Sequence, residues 1–320
     1  MTAFQRFQDE PQRKVQSFNR FIYYGINALI TIIAAYYITR LFEGNLRLIT
    51  AYSIRDVILV IFSMILIDSI SALRIKILFG PSIRYAEAFF LHLYGLILAD
   101  VTPGRIGYAM ILKKLAKISG KGLGEVFSKL IFINAVDTGV KLVMLALAIV
   151  FILNFISYGN YVVIVLVFGI ISFGALVVSY YVLSKDNKLK KAIIRRFGGY
   201  EIIRDLLGYS VNGSTTNNVA VNILLSVLIS ISSLLSFYLF SRPFNYSFFE
   251  AFIVYVFVAL SAGIPAGIGG IGVQESTCVL LSSLLGKSYE GPVIAIVYRA
   301  FSMIWHSFGL AYVFLYEETA

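Results

Sequence analysis

Ser261 to Glu275 reads S-A-G-I-P-A-G-I-G-G-I-G-V-Q-E, one proline and five glycines set inside a long apolar run. Broken backbone at membrane depth survives only where protein or cavity water satisfies its open amides and carbonyls. Interrupted segments of this kind commonly form the substrate site of transporters. Gly267, Gly269 and Gly272 also fit G-x-G-x-x-G, but a dinucleotide site needs a leading strand and a βαβ unit, and the flanking sequence offers neither.

The surrounding chain has 320 residues, 59% of them hydrophobic and 14% charged, with mean hydropathy +0.84. Its apolar runs are long enough to span lipid, so it is read as an all-α polytopic membrane protein. The single Cys278 lies in an apolar segment, which excludes a disulfide framework and a thiolate metal cluster and leaves a small buried hydrophobe. The net charge of +10 resides in the tail and loops flanking apolar segments. That placement follows the positive-inside rule and points to anionic membrane lipids rather than nucleic acid. Phe21 to Phe42 is too long for a cleavable signal and lacks a clear small-residue cleavage site.

Eight hydrophobic blocks follow one another. Residues 1–20 form a basic tail, and full spans are predicted at Phe21 to Phe42, Val57 to Phe79, Leu130 to Leu153, Tyr161 to Leu183, Val219 to Phe240 and Val293 to Tyr316. Arg74 and Lys76, near the end of the second span, are expected to snorkel to the interface, whereas Asp68 should face protein. Tyr85 to Leu112 is too short for two crossings and is broken at D-V-T-P-G-R-I-G, Asp100 to Gly107, so it reads as a re-entrant hairpin. Phe248 to Leu285 reads the same way. The polar segment 185–218 is the most basic part, with an intermittent apolar face suited to the membrane surface. If both interrupted blocks are hairpins, the tail, Arg74 to Arg84, Lys113 to Lys129 and Lys185 to Arg204 all share the cytoplasmic side. Six spans, two hairpins and cytoplasmic termini in a cell membrane are therefore expected.

Four of the six prolines fall into two equal spacings, Pro81 to Pro103 and Pro243 to Pro265, each 22 apart and offset by 162 residues. At that offset P-G-R-I-G, Pro103 to Gly107, faces P-A-G-I-G, Pro265 to Gly269. The set argues for a duplication, residues 21–153 and 161–316, each span, span, hairpin, span. Three crossings per half make the repeat inverted, with hairpin tips at Pro103 and Pro265 meeting near the midplane.

The P-G-R-x-G of Pro103 to Gly107, the P-x-x-x-G-G-x-G-x-x-E of Pro265 to Glu275, and Arg299 on the closing span resemble the membrane domain of bacterial lysylphosphatidylglycerol synthases and related stand-alone flippase-like proteins. The resemblance runs from Phe21 to Tyr316. It implies movement of a lipid across the bilayer, with aminoacyl transfer assigned to a separate soluble domain for which this chain is expected to have no room. Two departures stand out: Tyr108 replaces an acidic residue often found after the first motif, and Ile133-Asn134 replaces a Glu-Arg pair.

Ionisable groups at membrane depth are functional candidates, which selects Asp68, Asp100, Arg105, Asp137, Lys141, Glu275 and Arg299. Arg105, with Pro103, Gly104 and Gly107 shaping the break, is a ligand for a headgroup phosphate or a structural partner of Asp100. Gly267, Gly269, Gly270 and Gly272, beyond the break at Pro265, offer a backbone surface for an anion or a close helix contact. Asp137 either neutralises Lys141 one turn on or meets Arg299 across the symmetry axis, since the two lie 34 residues beyond Pro103 and Pro265. His92 and His306 read as core or hydrogen-bonded residues. No metal, cofactor or catalytic cluster is expected. A translocase for an anionic or phosphate-bearing lipid unites these features; the alternative is a membrane-embedded enzyme or partner subunit acting on a lipid-linked substrate.

Overall fold

The computed structural model describes residues 32, 36, 40, 46–102, 106–152, 170, 174, 219–263 and 272–317, and every regular element among them is helical. The spans predicted at Phe21 to Phe42 and Tyr161 to Leu183 lie outside them except for helical Ile32, Tyr36, Arg40, Ile170 and Gly174. The basic loop 185–218 also lies outside.

The first long helix, α1 (Ile54–Phe79), opens on a reciprocal cap: Ser53 Oγ accepts the Asp56 amide at 3.2 Å, and the Ser53 amide donates to Asp56 Oδ2 at 3.1 Å. This satisfies two of the amides a helix start leaves open. The helix stops at Gly80, whose φ of +102 suits glycine, immediately before Pro81. With 26 residues it is about 39 Å long, enough to cross a hydrocarbon core of about 30 Å. Three more helical stretches meet the same criterion: Leu123–Ile149, Val219–Phe244 and Glu290–Tyr316.

Between them run shorter elements. The helix α2 (Tyr85–Val101) ends at Thr102, whose hydroxyl donates to Leu98 O at 2.8 Å and accepts the Gly107 amide at 2.7 Å. The chain then returns through a 3-10 turn (Ile106–Met110) into α3 (Ile111–Ser119). A Cβ on Gly107 would overlap the Leu98 carbonyl, so close backbone approach explains this glycine. Lys113, Lys114 and Lys117 lie on α3, not in a loop. The next helix, α4 (Leu123–Ile152), starts two turns before the expected Leu130, and Lys129 inside it is buried. Its ammonium donates to Leu78 O at 2.8 Å and lies 3.0 Å from Glu125. Lys129 thus satisfies one of the carbonyls that the end of α1 leaves open.

In the second half, α5 (Val219–Ser241) runs into a 3-10 turn at Arg242–Phe244 that contains Pro243. Ser247 and Glu250 cap α6 (Phe248–Ser261) as Ser53 and Asp56 cap α1. Then α7 (Val273–Leu284) leads to α8 (Glu290–Ser307), continued by short helical turns to Glu317. Lys287 Nζ donates to Asn245 O at 3.2 Å, which brings the end of α7 back beside the start of α6. Residues Ala251 to Phe257 of α6 are all buried, as an all-round apolar helix must be.

The helices are inside out by the standard of a water-soluble protein. On α1, Ile58, Phe62, Leu66 and Leu73 are exposed, while Asp68, Ser71 and Arg74 are buried. On α5, Ile223, Leu224 and Ile231 are exposed, while Asn222, Ser226, Ser230 and Ser236 are buried. Lipid in place of water makes this arrangement favourable, and the small serines allow close helix approach.

Candidate functional site

Packing of α1, α2, α7 and α8 gathers a charged cluster between the spans. Asp68 of α1 accepts the Trp305 indole N–H at 2.6 Å and stands 3.3 Å from His92 Nε2. Asp100, near the end of α2 and 2% exposed, lies 2.6 Å from His306 Nδ1 and 3.6 Å from Arg299 Nη2. Glu275 caps its own helix: its Oε2 accepts the Gly272 amide at 2.8 Å, while Oε1 is 3.8 Å from Arg299 Nε. Gly272 takes a φ of +101 to begin α7, a conformation that suits glycine. Asp68, Asp100, Glu275, Arg299, Trp305 and His306 line a cavity of about 190 Å³ together with Gln274, whose buried amide nitrogen has no hydrogen-bond acceptor among the described residues.

A second cavity, about 650 Å³, is lined by Arg74, His92, Tyr108, Asn134, Asp137 and Lys141. Adjacent residues divide between the two: Asp68 and Asp100 line the first, Ser71 and Ala99 the second, Val258 the first and Ala259 the second. Parts of α1, α2 and α6 therefore form the wall between them.

Two expectations are corrected here. Arg74 does not reach the membrane interface; it is 7% exposed and grips Asp137 with two prongs, Nη1 to Oδ1 at 2.5 Å and Nη2 to Oδ2 at 2.9 Å. Ser226 of α5 bridges the pair, accepting from Arg74 at 2.9 Å and donating to Asp137 at 2.5 Å. Asp137 accordingly does not pair with Arg299, which lies in the other cavity with Asp100 and Glu275. The reason is packing: α5 lies against both α1 and α4 and brings Ser226 between Arg74 and Asp137, whereas α8 packs on α7 and α2.

His92 and His306 are hydrogen-bonded residues, and Cys278 is a buried small side chain. Arg105, Gly267, Gly269, Gly270, Pro103, Gly104 and Pro265 lie outside the described residues. Arg74, Trp305 and Gln274 were missed from sequence. Serines at Ser226 and Ser230, one turn apart in an apolar span, were the available signal for a polar face opposite Arg74. Among the described residues, no group of three or more His, Cys, Asp or Glu side chains could hold a metal ion.

Charged cavities enclosed by helices with apolar outer faces define a membrane-embedded multi-helix protein with an internal polar site. The chain belongs to the family described as the lysylphosphatidylglycerol synthase TM region, whose model matches residues 26–308. No curated protein and no solved structure matches it.

Proposed function

We propose that this protein moves an anionic, phosphate-bearing lipid between the leaflets of the cell membrane. The observation that carries the reading is Arg299, a partly buried arginine that lines a cavity at membrane depth and lies 3.6 and 3.8 Å from Asp100 and Glu275. A phosphate binds guanidinium in two-pronged, charge-assisted fashion, so a headgroup that enters the cavity competes with these carboxylates for Arg299. Glu275 occupies the N-terminus of α7, where a phosphate would also be favoured, and serves as its internal stand-in. The larger cavity falls within the usual range for ligand pockets, about 300–1,000 Å³, and accommodates the headgroup on the other side of the wall.

The architecture proposed with it is six spans, two re-entrant hairpins, an inverted repeat and cytoplasmic termini. Helix lengths support the hairpins: α2, α6 and α7 have 17, 14 and 12 residues, about 26, 21 and 18 Å, short of a hydrocarbon core of about 30 Å. The repeat is supported by helix boundaries. An offset of 162 residues carries the end of α1 at Phe79 onto the end of α5 at Ser241, and the start of α3 at Ile111 onto the start of α7 at Val273.

The test is competition at Arg299. A photoreactive phosphatidylglycerol in detergent–lipid micelles should label the chain around the smaller cavity, and Arg299→Gln should lose that labelling while Arg299→Lys keeps part of it. Equal labelling of wild type and Arg299→Gln would contradict the proposal.

A further inference from the structure

The wall between the two cavities contains a continuous run of titratable side chains. Tyr108, facing the larger cavity, has its hydroxyl 3.0 Å from His92 Nδ1; His92 Nε2 is 3.3 Å from Asp68 Oδ1; and Asp68 faces the smaller cavity. The two ends of the run are held in place. The Tyr108 ring lies against Gly95, where a Cβ would come within 2.9 Å of it, and meets the His92 ring edge to face at 6.0 Å. Trp305 anchors the far oxygen of Asp68 at 2.6 Å.

We infer that Tyr108, His92 and Asp68 form a proton relay between the two cavities, making the proton a co-substrate at this site. In the tautomer the relay uses, the ring proton sits on Nε2, facing the carboxylate, and Nδ1 accepts from the Tyr108 hydroxyl. Transfer then balances simply. The Tyr108 O–H bond breaks as Nδ1–H forms, and the phenolate regains a proton from water in the larger cavity. The Nε2–H bond breaks as a proton joins Asp68, which passes it to the smaller cavity, and a half-turn of the imidazole then presents the remaining N–H toward Asp68 and the bare nitrogen toward Tyr108 for the next proton. One proton crosses the wall and no charge is left behind.

The field on this relay comes from all sides: Asp100 on the same helix, Arg74 along α1, Glu275 from α7, Arg299 and His306 from α8, and Asp137 and Lys141 from α4. Ionisable chains of this composition at membrane depth are what proton-driven transporters use. The role assigned to the proton rests on the translocase reading, but the relay itself can be tested apart from it.

The full chain is reconstituted into phosphatidylcholine vesicles containing phosphatidylglycerol and a trapped pH-sensitive dye. Proton flux and movement of a fluorescent phosphatidylglycerol are both followed, with and without an imposed pH gradient. The gradient should speed lipid movement in wild type, and His92→Gln and Tyr108→Phe should lose proton flux about tenfold or more. His92→Gln keeps hydrogen-bonding capacity without titrating; Tyr108→Phe keeps the packing and decides the question if the first variant does not fold. Lipid movement indifferent to the gradient, with no proton flux above that of protein-free vesicles, overturns the relay and leaves the translocase standing. If no lipid moves in wild type, the translocase reading fails, while proton flux that both His92→Gln and Tyr108→Phe reduce sustains the relay.

Discussion

Arg74 on α1 and Asp137 on α4 form a two-pronged ion pair at 2.5 and 2.9 Å, closed by the Ser226 hydroxyl of α5. Three helices are thereby tied at one buried point. Removing one partner leaves a lone buried charge, so Arg74→Met or Asp137→Leu should each cost about 3–5 kcal/mol in detergent unfolding measurements. The double variant should recover most of that loss. By contrast, Asp137→Asn and Arg299→Gln should add to within about 0.5 kcal/mol, because the two residues occupy different cavities. Strong coupling in that second cycle would contradict the arrangement.

Close backbone contacts give a second set of expected outcomes. A Cβ at Gly309 would overlap the Leu93 and Tyr94 backbone, and one at Gly107 would overlap the Leu98 carbonyl. Alanine at either position should cost about 1–3 kcal/mol by overpacking. Among the described residues nothing lies within 4 Å of a Cβ at Gly174, and alanine there should be neutral or stabilising by up to about 1 kcal/mol. Thermal unfolding of the three variants side by side checks the order.

Much of this was legible in the sequence. The hydrophobic blocks located four long helices to within a few residues, except that α4 begins before Leu130, because Lys129 is satisfied by Leu78 O and Glu125 rather than by water. The candidates Asp68, Asp100, Glu275 and Arg299 do share one cavity. Partner choice was not legible. Asp137 lies one turn from Lys141 and at the repeat-equivalent position to Arg299, yet a residue 63 positions earlier holds it. Pairing across helices depends on which faces pack, and a small serine such as Ser226 permits the approach without announcing it.

Lys129 offers a third test. It donates to Leu78 O from a buried position, so Lys129→Met leaves an open carbonyl and should cost about 1–3 kcal/mol. Lys287 makes a similar bond to Asn245 O in an exposed setting, where water replaces it, and Lys287→Met should cost less than about 1 kcal/mol. Equal costs would show that Lys129 is not buried in the membrane-embedded protein.

Topology is checked by charge placement. Single cysteines at Lys121 and Lys287 in a Cys278→Ala background should react with an impermeant thiol reagent from opposite sides: Lys121 from the cytoplasm, Lys287 from outside. Labelling of both from one side of intact cells would contradict two returning hairpins.

The central claim, that a phosphate-bearing lipid crosses the membrane through Arg299, is tested most directly by transbilayer movement in vesicles reconstituted with the purified chain. Fluorescent phosphatidylglycerol placed in the inner leaflet is read by an impermeant quencher outside. Wild type should move it faster than protein-free vesicles, Arg299→Gln should fall to the protein-free rate while remaining folded, and a neutral diacylglycerol analogue should show no dependence on Arg299. Movement of phosphatidylglycerol at equal rates in wild type and folded Arg299→Gln would contradict the account.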